Sequence, residues 1–373
     1  MRVVLATHSL AQTGGSESYA LTVAHELRRL GHEITLAAQE LGSVAELAER
    51  EGLHVTTVSG ELPGTCDAVI VQDAIVTAPM VERYPHAPVV HVAHSPTFDH
   101  QLPLLAPPVI AAVVALSERV VNRIQALALD VPITRLRQPI DTDRFVEAGP
   151  LPARPRRALL LGNYLTGERR RVLVDGWSKA GVQCVQVGLS TCQELDVRPA
   201  IAAADIVVAK GRAVLEGMAC ARAVYVYDDY GGDGWITPQR YDALERDGFA
   251  GLGSGGPRTS ADLAADLNAY RPEMGWVNRE LVRTHHSARE HVARLVEVLR
   301  SVSGSTPDGA TVAHELSRLW ALKLHAEREA GLWRGRALDA ETRLAEAHWL
   351  LGTRRVRAGF ALGRAVDRFR KTG

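Results

Sequence analysis

Short runs of apolar residues alternate along the chain with longer segments in which apolar residues recur every three or four positions. The short runs are typical of buried β-strands, and the longer segments are typical of amphipathic helices. Strands are predicted at 2–6, 33–37, 54–58, 68–72, 89–93, 111–116, 158–161, 183–187, 206–209 and 223–227. Helices are predicted at 18–30, 44–51, 118–127, 170–180, 199–203 and 212–221. This alternation predicts an α/β protein in which helices cross parallel sheets.

A proline-rich segment at 150–155 divides the pattern into two halves. Because a chain of 373 residues exceeds the size of a single hydrophobic core, two domains are expected. We predict Rossmann-like, doubly wound domains at 1–150 and 151–305, facing each other across a cleft. A third segment, 306–373, is rich in Leu, Ala, Glu and Arg and is predicted to be helical.

The balance of basic and acidic residues bears on which kinds of molecule the protein binds. The chain carries 43 basic and 43 acidic residues, and this neutrality argues against nucleic acid as the main ligand. Its apolar runs are shorter than a membrane span, and its first residues resemble a strand rather than a signal peptide, so a cytoplasmic location is expected. The four cysteines are expected to be reduced, and neither they nor the acidic residues have metal-ligand spacing. No metal is predicted.

The segment 204–235 carries the clearest chemical signal. It reads as a strand, a turn at Lys210-Gly211-Arg212, a helix and a second strand. A helix that begins at the carboxyl end of a strand presents backbone N–H groups and partial positive charge to the crevice there, which is a binding arrangement for phosphate. Lys210 and Arg212 add full charges, and Glu216 lies about one turn further along, where its carboxylate can accept hydrogen bonds from ribose hydroxyls.

These residues resemble the nucleotide-sugar site of the retaining glycosyltransferases of family 4, which have the GT-B fold. Gly14-Gly15-Ser16-Glu17 is similar to the family's glycine-rich loop, and the segment 138–145, QPIDTDRF, is similar to the segment that precedes its second domain. Together the landmarks span about residues 1–300.

The resemblance implies a donor site and its residues. Gly14, Gly15, Lys210, Gly211, Arg212, Ala213 and Glu216 would bind the donor, a nucleoside-diphosphate sugar that serves as co-substrate without a further cofactor. His94, Arg169, Arg212 and Glu216 would act in catalysis. The chain departs from the family at two places: Val208 stands where the first of two glutamates is expected, and Gly162-Asn163 stands where glycine-arginine is usual, which leaves Arg169 as the nearby cation.

Three segments have open interpretations. His94 follows a predicted strand and either lines the cleft or is structural, and the neighbouring His86, His91 and His100 are assigned structural or solvated roles. The loop at Gly14 is either a ligand-facing turn or a capped helix start. Asp228, Asp229 and 231–235 form either a functional strand end or a plain surface turn.

The function implied by the resemblance is transfer of a sugar to a hydroxyl of a saccharide or lipid-linked acceptor, with retention of anomeric configuration, in the synthesis of a surface polysaccharide or glycoconjugate. A catalytically silent GT-B subunit is the alternative that the missing glutamate suggests. A nucleotide-sugar epimerase is a further alternative. Seven basic residues against one acid at 353–371 suggest either contact with the inner face of a membrane or docking to a partner protein.

Overall fold

The computed structural model describes residues 1–304 apart from 105–108, 164, 189–195, 229–230 and 254–257, together with scattered residues between 318 and 344. The chain forms two compact units, Met1–Thr311 and Val312–Gly373. In the second unit the described residues are helical. The basic segment 353–371 lies outside the described residues.

The first half of the larger unit is built on a parallel sheet. Among the residues described, this sheet has seven strands in the order β3-β2-β1-β4-β5-β6-β7. The strands are β1 (Arg2–Leu10), β2 (Glu33–Leu41), β3 (His54–Thr57), β4 (Ala68–Val71), β5 (Val89–Ala93), β6 (Ala112–Ala115) and β7 (Ile133–Arg135). The helices between them are α1 (Gly15–Arg29), α2 (Ser43–Arg50), α3 (Ala74–Arg83) and α4 (Glu118–Gln125). Every residue of β4, β5 and β6 is buried, as expected for a parallel sheet covered on both faces.

The second half has its own sheet. Within the described part of the chain its strands follow the order β12-β11-β10-β8-β9, and only β12 is antiparallel to its neighbour. The strands are β8 (Arg157–Leu161), β9 (Gln183–Val187), β10 (Ile206–Ala209), β11 (Ala223–Asp228) and β12 (Gly231–Trp235). The helices are α5 (Gly167–Lys179), α6 (Arg198–Ala202), α7 (Arg212–Ala219), α8 (Pro238–Arg246), α9 (Ser260–Asp266) and α10 (Met274–His285).

The chain crosses between the two halves twice. A final helix of this unit, α11 (Ala288–Ser301), returns to the first half, where Val292, Leu295 and Leu299 join the core around α1. The outgoing and returning segments lie side by side, because the Ile140 N–H donates to the His286 carbonyl at 2.8 Å and the Ala288 N–H donates to the Ile140 carbonyl at 3.2 Å. These paired crossings connect the two sheets.

The predicted α/β architecture is confirmed, and each predicted strand and helix is present with small differences at its ends. The segment 231–235 forms a strand rather than the surface turn that was one of its two interpretations. Because the segment is rich in glycine, its sequence does not have the apolar pattern of a strand. Gly232 is required there, since a Cβ atom would lie 2.5 Å from Cδ2 of Tyr227. Within the part of the chain that is described, no helix is both long and apolar enough to span a membrane.

Candidate functional site

A cavity of about 260 Å³, called here the first cavity, lies where the carboxyl ends of the second sheet's strands face the loop after β1. Thr13, Gly14, Gly15 and Ser18 form its wall on the side of the first half. The second half contributes residues at or just after the carboxyl ends of β8, β9, β10 and β11, together with the start of α7. The carboxyl ends of parallel strands are where ligands bind in open α/β sheets, so the topology supports a binding site here.

The start of α7 is shaped by Gly211. This residue has φ +60° and ψ −135°, a backbone region that is essentially restricted to glycine. It has no side chain to cap the helix, and Gly211, Arg212 and Ala213 all line the first cavity. Because the first N–H groups of a helix have no intrahelical acceptor, the lining includes the positive end of the α7 dipole.

Arg212 and Glu216 form a buried ion pair on α7. The Arg212 Nε donates to Glu216 Oε1 at 3.1 Å, and the two side chains are 6% and 10% exposed. The remaining Arg212 nitrogens donate to the Pro139 carbonyl and to Thr22 Oγ1, both at 2.8 Å. Arg212 therefore connects α7 to the first half and to the crossing segment. Burial raises the pKa of Glu216, and its pairing with Arg212 opposes that rise. Both residues line the first cavity.

Lys210 lies between β10 and α7 and forms an ion pair with Asp228 at the end of β11. The Lys210 side chain is 27% exposed, whereas Asp228 is buried, and both residues line the first cavity. Lys210 therefore brings a cation to the lining beside the start of α7, held in place by Asp228. Asp229, which follows Asp228 in the sequence, lies outside the described residues.

Arg169 lies in the first turn of α5, next to the first cavity rather than in its lining. Its carbonyl accepts a 3.4 Å hydrogen bond from the hydroxyl of Tyr227, and Tyr227 lines the cavity. The catalytic role predicted for Arg169 stays a prediction, and the structure places it one residue behind the cavity wall.

A second cavity, of about 420 Å³, adjoins the first. Its lining includes Gly14 to Glu17 at the start of α1, His94 after β5 and Phe98 beyond it. The ring of His94 packs edge-on against Tyr19 at a centroid distance of 4.8 Å. Burial lowers the pKa of His94 to about 3, so this imidazole is neutral near pH 7. His94 thus lines the second cavity, and its catalytic role stays a prediction.

Two further histidines from the same segment have different positions. His91 is fully buried in β5 and its Nε2 is 3.0 Å from the Gln101 carbonyl, which fits the structural role predicted for it. His100 lines the second cavity, and its ring lies 5.9 Å from that of His8. Within the described residues, no group of three or more His, Cys, Asp or Glu side chains has the arrangement of a metal site.

Gly14 and Gly15 line both cavities. A Cβ atom on Gly14 would lie 2.3 Å from Glu17 Oε2, so the carboxyl group of Glu17 folds back over this glycine. Gly15 has open space around it and an ordinary backbone conformation. At Gly14 a side chain would therefore displace only the flexible end of Glu17, and at Gly15 it would project into open space.

The sequence interpretation missed several residues of the first cavity. Asn163 follows β8, and Gly188 follows β9 with φ +157° and a position at which a Cβ atom would be 2.1 Å from the Gly162 carbonyl oxygen. A glycine directly after a predicted strand was the available signal in both places.

No protein-family model matches the chain, and no curated protein sequence matches it at a meaningful level of similarity. Solved structures do resemble it. HepE from Anabaena, in complex with UDP and glucose, gives a TM-score of 0.60 at 13% identity over 81% of this chain and 100% of that chain. Sucrose-phosphate synthase from Thermosynechococcus elongatus gives 0.54 at 11% identity over 81% and 98%.

The pneumococcal O-GlcNAc transferase GtfA, in complex with UDP and GlcNAc, gives a TM-score of 0.55 at 8% identity over 81% of this chain and 99% of that chain. At these identities the likeness concerns the fold. Together with the two facing sheets, it shows that this chain has the GT-B fold.

Proposed function

We propose that this protein is a glycosyltransferase that uses a nucleoside-diphosphate sugar, with UDP as the nucleotide, and transfers the sugar to a hydroxyl group with retention of anomeric configuration. The observation that carries the proposal is the first cavity, where the start of α7 and Lys210 meet beside Glu216. The structural likeness to proteins crystallised with UDP supports the choice of nucleotide. The chain's own groups, rather than a further cofactor, supply the positive charge in this proposal.

The diphosphate would lie at the start of α7. When the bond between the sugar and the diphosphate breaks, its electron pair stays on a phosphate oxygen, so negative charge grows there. Backbone N–H groups of Arg212 and Ala213 and the ammonium group of Lys210 would stabilise this charge. The ion pair with Asp228 holds Lys210 in position before the donor binds. Such preorganisation lowers the barrier because the groups need little rearrangement in the transition state.

Glu216 would hold the ribose of the nucleotide. Its carboxyl group lines the first cavity, and Arg212 fixes the side chain from within α7 at 3.1 Å. A carboxylate that accepts hydrogen bonds from hydroxyl groups would set the distance between the ribose and the diphosphate. In the transfer step, the acceptor oxygen bonds to the anomeric carbon on the face that the diphosphate leaves, and the hydroxyl proton passes to the departing diphosphate.

A silent subunit that binds nucleotide sugar without turnover is the second candidate. The observation that favours it is Val208, which is buried in β10 and lines the first cavity where the resembling family has a glutamate. A glutamate at that position would add a carboxylate near the transferred sugar. With valine there, a silent subunit would lack those contacts to the sugar and would keep the contacts proposed for the nucleotide.

Release of UDP from UDP-sugars tests the two candidates. The purified protein is incubated with UDP-glucose, UDP-galactose or UDP-N-acetylglucosamine and a panel of saccharide acceptors, and product anomers are assigned by NMR. A transferase gives acceptor-dependent UDP release and a product with the donor's anomeric configuration. Binding of UDP without release in any combination favours the silent subunit, and an inverted product contradicts the retaining mechanism.

A further inference from the structure

The second cavity shares part of its wall with the first. Gly15, Asn163 and Gly211 belong to the linings of both cavities. A molecule in the second cavity would therefore lie beside a sugar that extends from the start of α7. Its volume of about 420 Å³ is sufficient for a saccharide of one or two rings.

Among the described residues of this lining, the Glu17 carboxyl group is acidic and is not held in an ion pair. Glu17 accepts a hydrogen bond from the Ser16 hydroxyl at 3.1 Å. Burial raises the pKa of its carboxyl group, and the hydrogen bonds that it accepts and the nearby His8 oppose that rise. No described basic group lies within ion-pair distance of this carboxyl group. The other charged groups of the lining are paired. Arg212 is held by Glu216, and Glu245 is held by Arg135 at 2.6 Å and by Arg137 at 3.5 Å. An anionic group entering this cavity would therefore approach the Glu17 carboxylate without meeting an available guanidinium or ammonium group.

His94 adds a polar group that needs a partner. Its Nε2 atom is shielded from solvent and has no hydrogen-bond partner among the described residues. A buried polar atom of this kind is costly unless a ligand or water satisfies it. Because the imidazole is neutral, it can donate a hydrogen bond to a hydroxyl group or accept one from it, and it does not attract an anion.

The rim of the cavity offers an apolar surface. The Phe98 side chain is 42% exposed, and its ring lies 5.8 Å from that of His100. An exposed aromatic ring beside a few polar groups suits a sugar, which has an apolar C–H face and hydroxyl groups at its edge. Among the lining residues that the structure describes, an extended lipid chain would find this one large exposed apolar group.

We propose that the second cavity binds the acceptor as an uncharged saccharide, with its ring against Phe98 and a hydroxyl group hydrogen-bonded to Glu17 and His94. This proposal rests on the proposed transferase function and specifies its acceptor. Glu17 is a specificity-determining residue in this arrangement, because its carboxylate accepts a hydroxyl hydrogen bond and repels uronates and phosphates.

Matched ligands that differ by one charge test the proposal. The probes are the methyl glycosides of glucose, galactose and mannose and the corresponding uronates, with binding to the UDP-saturated full-length protein followed by ligand-observed NMR. At least one neutral glycoside is expected to bind about tenfold more tightly than its uronate, because like charges repel across the short distance to Glu17. Glu17→Gln should reduce this ratio to about threefold or less, since it removes the charge and keeps the shape.

Phe98→Ala should weaken binding of the neutral glycoside about fivefold or more. Trp276→Ala is the matched control, because Trp276 is also an exposed aromatic residue and lies outside the second cavity. Equal binding of a glycoside and its uronate, an unchanged ratio in Glu17→Gln, or binding of no neutral glycoside would overturn the proposal. UDP affinity, measured on the same samples, separates these outcomes from failure of the proposed function, which would appear as loss of UDP binding in the unaltered protein.

Discussion

The ammonium group of Lys210 is held at the first cavity by an ion pair with Asp228. Lys210 and Asp228 both line this cavity, and the buried Asp228 keeps Lys210 beside the start of α7. A buried carboxylate that loses its cation is destabilising, so the two residues have to be changed together to separate binding from folding.

We predict that Lys210→Met in an Asp228→Asn background weakens UDP binding about tenfold to a hundredfold, which corresponds to one charge-assisted hydrogen bond of about 1.5–3 kcal/mol. Uridine binding should change little, since uridine has no phosphate. Calorimetry with UDP, UMP and uridine measures the differences, and the single Asp228→Asn variant is the control. An equal loss of affinity for UDP and uridine would contradict a phosphate-binding role for Lys210.

The start of α7 depends on glycine at 211. A Cβ atom there meets nothing within 4 Å, so the cost of a side chain comes from the backbone conformation alone. Gly211→Ala is expected to reduce the free energy of unfolding by about 1–3 kcal/mol and to weaken UDP binding, because the loop must leave this conformation.

Urea unfolding and calorimetry would measure both effects. Gly64→Ala is the matched control, since Gly64 also has open space around it, lacks a positive φ and lies outside both cavities. If Gly211→Ala behaved like the control in both measurements, the special conformation of this turn would have no role in stability or binding.

Much of the fold could be predicted because parallel strands leave a strong pattern. The buried runs of β5, β6 and β10 are continuous and apolar, and glycines end the helices before β2 and β3. β12 could not be recognised, because its sequence GGDGW has no apolar alternation and its pairing with β11 is a tertiary effect. The return of α11 to the first half also depends on long-range packing rather than on local sequence.

For the candidate site, too, features set by local sequence could be predicted and long-range contacts could not. Lys210, Gly211 and Glu216 could be predicted because strand, turn and helix follow one another within a few residues. The pairing of Arg212 with Thr22 and Pro139 could not, because these partners come from distant parts of the chain. The position of the Glu17 carboxyl group, which accepts a hydrogen bond from Ser16 and lines the second cavity, likewise follows from its surroundings in three dimensions.

The two chain crossings between the sheets are fastened by buried histidines. His286 Nδ1 lies 2.7 Å from the Gln138 carbonyl and its Nε2 lies 2.7 Å from the Tyr241 hydroxyl. His291 bonds in the same way to Arg137, at 2.8 Å, and to Tyr19, at 2.9 Å. Tyr241 belongs to the second half and Tyr19 to the first, so the crossings are attached to both.

These histidines make stability dependent on pH. Burial lowers the pKa of His286 to about 3 and of His291 to about 4, whereas histidine in an unfolded chain titrates near 6.5. Between about pH 6.5 and pH 4 the unfolded chain binds more protons, so the free energy of unfolding should fall as pH falls, by about 1.4 kcal/mol per pH unit for each histidine.

Urea unfolding between pH 4.5 and 7.5 measures this slope. His291→Gln should reduce it, while His86→Gln, at an exposed position, should leave it unchanged. A slope that is the same in both variants would contradict the assignment of acid sensitivity to the buried histidine at the crossing.

Calorimetric titration of the protein with UDP tests the proposed donor site most directly. Glu216→Gln is compared with Glu280→Gln, which changes a glutamate whose side chain is 56% exposed on α10. We predict that the unaltered protein and Glu280→Gln bind UDP, and that Glu216→Gln binds it about tenfold or more weakly, because a charge-assisted hydrogen bond to the ribose is lost. Equal UDP affinity in a folded Glu216→Gln variant, or no binding of UDP by the unaltered protein at millimolar concentration, would contradict a nucleotide site at the start of α7.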